Sequence, residues 1–219
     1  EGTRSRLAPY SRVADVQAAM TFLGIQPEVE EDRIGLYGTS YGGATVSWVG
    51  AIDPRAKCIV SVVGIGHGGR WMSRVRRVDE WIDLQELSKA DREKRAITGQ
   101  SEYVERGDIL LADRQSADLA AAARRNNPSA VGTIPIEYVD DTLGFNPEWI
   151  VDKVSPRPIL FITSDNDRLV LQEESEQLYS HAKEPKKLVV LNGVGHYEVY
   201  AEPAFTQVMT ETLAWFQEH

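Results

Sequence analysis

Strand-like and helix-like segments alternate along this chain, and this alternation constrains its fold more than any other feature. Residues 57–63 form a β-branched run that carries no charge after Lys57, as expected of a strand buried on both faces. Residues 158–163 and 187–191 predict two more strands of this kind, and residues 34–37 a shorter apolar one. Predicted helices cover residues 11–24 and 41–52. This order predicts an α/β protein with a mostly parallel sheet and helices on both faces.

The last predicted helix begins near Pro203, since proline is favoured in the first turn of a helix. Its expected apolar face consists of Phe205, Val208, Met209, Leu213 and Phe216.

Residues 70–135 differ in composition from the rest of the chain. They are rich in Arg, Glu, Asp and Ala, with helical patterning and no convincing strand. The segment leaves the sheet after the strand at residues 57–63, at the carboxyl edge where parallel sheets place their sites. We therefore predict an α/β core in residues 1–69 and 136–219 and a helical lid insertion in residues 70–135. The alternative is a solvated helical decoration without contact to substrate.

Charge and cysteine content narrow the class of protein. The net charge is −9, from 33 acidic and 24 basic residues, which argues against a general affinity for nucleic acid or an anionic membrane. Cys58 is the only cysteine, so no intrachain disulfide can form, and a reducing, cytoplasmic location is the default expectation. Cys58 lies in an apolar run and is expected to be a buried core thiol. We expect no metal and no cofactor, because no histidine or cysteine pair has ligand spacing and no phosphate-binding glycine loop is present.

The stretch Gly38-Thr39-Ser40-Tyr41-Gly42-Gly43 carries the strongest chemical signal. It follows a predicted strand and opens a predicted helix, which is the context of a nucleophile elbow. A tight, strained turn there would project the Ser40 hydroxyl, and the flanking glycines would avoid collisions between the turn and its neighbours. The backbone amide of Tyr41 is expected to stabilise an oxyanion, aided by the positive end of the helix.

An acid and a histidine follow on later strands. Asp165 and Asp167 come just after the strand at residues 158–163, where either carboxylate could orient a histidine or simply cap the next helix. His196 comes just after the strand at residues 187–191, in a glycine-containing loop that would present its ring. The chain order Ser, Asp, His, each at the end of its own strand, predicts a nucleophilic serine with His196 as its general base.

These motifs resemble the α/β-hydrolase superfamily, in particular its dienelactone-hydrolase-like and prolyl-oligopeptidase-like branches. The run Asp167-Arg168-Leu169-Val170 is similar to the acid loop of those families, which implies that Asp167 is the acid, and residues 195–200 resemble the loop around their histidine. The resemblance covers nearly the whole chain except the insertion. It implies a serine hydrolase that cleaves an ester or related acyl bond of a small molecule through a Ser40-His196-Asp167 triad. A prolyl-oligopeptidase-like peptidase, a carbon–carbon or thioester hydrolase, and a non-catalytic ligand-binding module are the alternatives.

One departure from the family concerns the amino-terminal strands. Such enzymes carry further strands before the elbow, whereas only 39 residues precede Ser40 here. The chain is therefore expected to be the carboxyl-terminal part of the fold. Because residues 34–37 would otherwise form an exposed sheet edge, we predict that an amino-terminal segment or a separate chain pairs with them. A homo-oligomer is a further alternative.

Two residues near the start of the insertion are candidates for the substrate pocket. His67-Gly68-Gly69 follows the nucleophile, which favours a turn into the lid over an oxyanion loop, with the His67 ring lining the pocket. Trp71 is the second candidate, and its alternative role is in the lid core.

Overall fold

The structure, a computed structural model, describes residues 8–111 and 132–219 together with residues 114, 115, 117, 118, 121 and 125. Its main sheet contains β1 (Gly35–Thr39), β2 (Cys58–Val62), β5 (Ile159–Ser164) and β6 (Lys186–Leu191). All pairings are parallel and the order is β1-β2-β5-β6. A second, antiparallel sheet pairs β3 (Tyr103–Glu105) with β4 (Thr133–Pro135). The described helices are α1 (Pro9–Gly24), α2 (Tyr41–Ile52), α3 (Gly68–Arg74), α4 (Val78–Thr98), α5 (Arg106–Ile109), α6 (Glu137–Leu143), α7 (Gln172–His181) and α8 (Ala204–Glu218).

The central strands β2 and β5 are buried along their whole length. The residues of β2 alternate between two helical layers, as a strand requires. Val60 and Val62 pack in one cluster with Val208 and Trp215 of α8. On the opposite face, Ile59 lies against α2, so closely that a Cβ on Gly50 would come within 2.8 Å of it. The predicted parallel sheet with helices on both faces is therefore confirmed.

The prediction that residues 187–191 are buried on both faces was wrong. In β6 only Leu191 is buried, and Lys187 and Val190 are exposed. The reason is position, since β6 is an edge strand with a neighbour on one side only, β5, among the described residues. An apolar run in the sequence does not reveal whether its strand is central or at an edge.

The predicted apolar face of α8 was also partly wrong. Val208 is buried as expected, but Phe205 and Leu213 are 40% and 52% exposed. The buried face instead contains Ala204, Val208, Thr212 and Trp215. Apolar residues lie around most of this helix, so its rotation is set by the fit of Val208 and Trp215 against β2 and β5.

The chain divides into two compact units. One contains Pro9–His67 and Asn146–His219 and includes the main sheet; the other contains Gly68–Phe145. The second unit extends beyond the predicted insertion of residues 70–135, because α6 packs against α3 and α4. It also contains β3 and β4, where no strand was expected. Both strands are too short for an alternating pattern to stand out in the sequence.

The strand β1 lies at the other edge of the main sheet. Leu36 and Gly38 are buried, whereas Gly35 and Tyr37 are exposed. The pairing of a further segment with this edge stays a prediction. Among the described residues, no helix is both long and apolar enough to cross a membrane.

Candidate active site

Ser40 lies in the turn between β1 and α2 with a backbone conformation that side chains rarely adopt. Its φ is 55° and its ψ is −122°. Its amide donates to the carbonyl of Val62 at 2.8 Å, which ties the turn to the end of β2. Val63, the residue that follows β2, has a φ of 43°. The structure therefore places backbone strain at two adjacent strand ends, a situation typical of functional sites.

The glycines around Ser40 differ in how much they are needed. A Cβ on Gly38 would lie 2.3 Å from the carbonyl oxygen of Gly42, and one on Gly43 would lie 2.8 Å from the Cα of Gly64. A Cβ on Gly42 would meet nothing within 4 Å. The expected collision at the second motif glycine was therefore wrong. Gly43 is the residue that allows α2 to approach the chain that leaves β2.

His196 lies between Ser40 and Asp167. Its Nε2 is 3.0 Å from Ser40 Oγ, and its Nδ1 is 2.6 Å from Asp167 Oδ2. The other carboxylate oxygen, Oδ1, accepts the amides of Leu169 and Val170, both at 2.8 Å. The side chains of His196 and Asp167 are 4% and 0% exposed, so water competes little for these bonds. The structure thus brings the serine, the histidine and the favoured aspartate into one hydrogen-bonded chain.

Asp165, the alternative acid, has a different partner. Its Oδ1 accepts the amide of Gly193 at 2.6 Å, where the chain turns with a φ of 73°. Ser164, the last residue of β5, donates its hydroxyl to the carbonyl of Val194, and Asn166 donates its side-chain amide to the carbonyl of Gly193 at 3.5 Å. These bonds fix the position of the histidine loop relative to Asp167. Sequence reasoning considered Asp165 only as an acid or cap and missed this contact.

A tyrosine extends the link between the histidine loop and the serine turn. Tyr200 ends the short 3₁₀ turn Glu198–Tyr200 that follows His196, and it interacts with the side chain of Thr39, the residue before Ser40. Burial raises the pKa of the Tyr200 phenol, and the interaction with Thr39 opposes part of that rise. The phenol therefore stays neutral at physiological pH. The ring of Tyr197 contacts that of His196 edge-on, with 5.2 Å between centroids.

Tyr41 is the first residue of α2, so its amide is at the positive end of that helix and directly follows Ser40. The Arg12 guanidinium lies 5.1 Å from the centre of the Tyr41 ring. This contact places the Tyr41 ring beside α1.

The two pocket candidates lie in different units. His67 is partly buried, and its ring contacts Trp149 edge-on with 5.5 Å between centroids. Gly68 begins α3, so His67-Gly68-Gly69 leads into a helix and does not form a separate turn. Trp71 lies in α3 and is partly buried. The roles of His67 and Trp71 in substrate binding stay predictions. In the part of the chain that the structure describes, no group of three or more His, Cys, Asp or Glu side chains could hold a metal ion.

Comparison with known proteins identifies the family. Residues 3–198 match the family model described as X-Pro dipeptidyl-peptidase (S15 family). An uncharacterized 31.7 kDa protein from the traX-finO intergenic region of Escherichia coli is 28% identical over 220 residues, which cover 100% of this chain and 76% of that protein. A thiohydrolase of Eupenicillium brefeldianum is 23% identical over 218 residues, covering 97% of this chain and 70% of that protein.

A solved structure shows the same fold. The α/β hydrolase GrgF from Penicillium sp. sh18 superimposes with a TM-score of 0.77 at 21% identity, covering 99% of this chain and 74% of that one. The predicted α/β-hydrolase fold is therefore confirmed. Because the family model spans most of the sequence, the chain belongs to the S15 family of X-Pro dipeptidyl-peptidases and is an enzyme of the α/β-hydrolase superfamily.

Proposed function

We propose that this protein is a serine hydrolase that cleaves an ester or related acyl bond through an acyl-enzyme on Ser40. The observation that carries the proposal is the position of His196, within 3.0 Å of the Ser40 hydroxyl and 2.6 Å of the Asp167 carboxylate. This arrangement suits a nucleophile, its general base and a carboxylate that orients the base.

The first half of the reaction forms the acyl-enzyme. Ser40 Oγ attacks the acyl carbon while His196 Nε2 accepts the hydroxyl proton. The amide of Tyr41 donates to the developing oxyanion, a contact worth roughly 3 to 4 kcal/mol in such sites. The intermediate then expels the leaving group, which takes the proton from His196.

The second half returns the enzyme to its starting state. A water molecule gives a proton to His196 Nε2 and attacks the acyl carbon, and Ser40 Oγ leaves with that proton as the acid is released. Throughout, the Asp167 carboxylate stabilises the positively charged imidazole. Its own position is held by the amides of Leu169 and Val170.

Two alternatives for the bond that is cleaved have specific support. The thiohydrolase relative favours a thioester, and the family model favours an amide after proline. All three substrates react at an acyl carbon, so the same residues would serve each of them. We place a small-molecule ester first because hydrolysis of such an ester requires no element that binds a peptide.

Labelling with a fluorophosphonate tests the proposal. Wild-type protein should be labelled, and Ser40→Ala should lose the label. Ser180→Ala, at an exposed position in α7, is the matched control and should be labelled like wild type. A panel of a p-nitrophenyl ester, an acyl thioester and an X-Pro p-nitroanilide then ranks the three bonds. Absence of labelling in folded wild-type protein would contradict the proposal and favour a non-catalytic binding module.

A further inference from the structure

Glu174 is a buried carboxylate that the proposed mechanism does not use. It lies in the first turn of α7 and is 2% exposed. Its Oε2 accepts the amides of Gly66 and His67, both at 2.9 Å, across 108 and 107 residues of sequence. Burying a carboxylate is unfavourable unless strong hydrogen bonds satisfy it, and two amides on one oxygen are bonds of this kind.

The segment that Glu174 holds leaves β2 at the same sheet edge as Ser40. The strands β1 and β2 are neighbours, and Ser40 is bonded to Val62 at the end of β2. The carbonyl of Gly66 accepts a hydrogen bond from the amide of Glu148 at 3.1 Å. The backbone of Gly66 is therefore fixed through both its amide and its carbonyl, and its partners lie in α7 and in the segment that returns to the sheet.

The side chain positioned by this segment is the His67 ring, which packs edge-on against Trp149. The indole of Trp149 is 66% exposed, while the short 3₁₀ turn that carries it, Pro147–Trp149, packs against α7. An exposed tryptophan held by a neighbouring ring offers a rigid apolar surface at low entropic cost. The helix α7 thus supports both partners of the ring pair.

We propose that Glu174 is a positioning residue, whose carboxylate fixes the Gly66–His67 backbone so that His67 and Trp149 together bind the apolar part of the acyl substrate. This inference rests on the proposed function for the reaction, but it concerns substrate selection and not the chemical step. Accordingly, loss of the carboxylate should weaken binding of substrates that reach the ring pair and leave the reaction of small ones unchanged.

The test compares p-nitrophenyl phenylacetate with p-nitrophenyl acetate. Glu174→Leu removes the acceptor and should raise KM for p-nitrophenyl phenylacetate roughly tenfold, with kcat close to the wild-type value. Both kcat and KM for p-nitrophenyl acetate should stay close to wild type. Glu174→Gln should restore much of the affinity, because one amide oxygen can accept both backbone amides. Glu176→Leu, at an exposed position of the same helix, is the matched control and should behave like wild type.

A second variant tests the inference even if Glu174→Leu does not fold. Trp149→Ala changes an exposed side chain, and should raise KM for phenylacetate by a similar factor. In the double variant with Glu174→Leu, the two effects should not add, since both act on one ring pair. An unchanged KM in Trp149→Ala, additive effects, or equal losses with both esters would overturn the inference.

A binding measurement separates this inference from the proposed function. The free carboxylate phenylacetate, without the p-nitrophenyl group, should quench the tryptophan fluorescence of wild-type protein when it binds. It should bind roughly tenfold more weakly to Trp149→Ala and to Glu174→Leu. This readout requires no turnover, so it holds even if Ser40 proves unreactive. Equal binding to wild type and to Trp149→Ala would overturn the inference while leaving the fluorophosphonate result to decide the function.

Discussion

At the scale of single residues, the turn at Ser40 shows where this protein tolerates strain. A non-glycine residue with a φ of 55° costs about 1 to 3 kcal/mol relative to an ordinary conformation. The cost is offset by packing that only small neighbours allow. Gly38 and Gly43 each lie so close to other backbone atoms that a methyl group would not fit, whereas Gly42 faces open space.

The motif glycines should therefore differ in their tolerance of alanine. Gly43→Ala forces a methyl group to within 2.8 Å of the Gly64 Cα, and should lower the free energy of unfolding by roughly 1 to 3 kcal/mol. Gly42→Ala is the matched control. It should leave the free energy of unfolding unchanged or raise it by up to about 1 kcal/mol, because alanine favours a helix. Urea unfolding measures both, and equal destabilisation would contradict the packing argument.

The two aspartates after β5 should also separate in kinetic experiments. Asp167→Ala removes the carboxylate that binds His196, and should lower kcat roughly 10³- to 10⁴-fold. Asp165→Ala removes only the acceptor of the Gly193 amide, and should lower kcat by roughly tenfold through a looser histidine loop. Hydrolysis of p-nitrophenyl acetate measures both. A larger loss for Asp165→Ala would mean that the acid is wrongly assigned.

At the scale of elements, the end of α2 is joined to α1 by one buried carboxylate. Asp53 follows the last residue of α2 and is 4% exposed. Arg55 donates Nε and Nη2 to its two oxygens at 2.9 and 2.7 Å, and Gln17 of α1 donates at 3.1 Å. These bonds, chiefly those with Arg55, lower the pKa of Asp53 to about 2.

The stability that Asp53 contributes should depend on pH. Its pKa in the folded protein is lower than the unperturbed value of 3.8, so the contribution is complete above pH 4 and is lost as the pH falls toward 2. Asp53→Asn should cost about 1 to 2 kcal/mol at pH 7, an amount reduced by the solvent exposure of Arg55. Urea unfolding at pH 7 and pH 3 should show the difference shrinking at the lower pH. Asp32→Asn, at an exposed position, serves as the control, and a pH-independent cost would refute the assignment.

At the scale of the whole molecule, the β1 edge of the sheet has a neighbour on one side only, β2, among the described residues. Successive backbone amides along a strand point to opposite sides. The amide of Ser40 points toward β2, so the amides of Gly38 and Leu36 also point toward β2. The amides of Tyr37 and Thr39 point outward. We predict that a further strand, from an amino-terminal segment or a separate chain, pairs with this edge.

Hydrogen exchange tests the pairing residue by residue. If a further strand is bound, the amides of Tyr37 and Thr39 should exchange as slowly as those of Leu36 and Gly38, because paired amides are protected. The amides of β2 provide an internal reference for full protection. Rapid exchange at Tyr37 and Thr39, next to slow exchange at Leu36 and Gly38, would show that the edge is open.

The sequence by itself determined the elements and the order of the chemical groups. Apolar runs located β1, β2 and β5 to within one or two residues, and Tyr41–Ile52 was predicted with the bounds that α2 has. Ser40, Asp167 and His196 could be proposed because each follows its own strand, and a parallel sheet brings such ends to one edge. These features depend on residues that are close in sequence, so local patterns predict them.

Only the tertiary structure decided what depends on distant residues. The edge position of β6, the rotation of α8, the pairing of β3 with β4 and the bond from Asp165 to Gly193 each depend on packing partners that no local pattern specifies. Glu174 is the clearest case, since its two amide partners lie more than a hundred residues away. In the sequence it is one of several acidic residues at the start of a helix. The physical reason is that local hydrogen bonding and periodicity set the secondary structure, whereas burial and register depend on which surfaces meet when the chain folds.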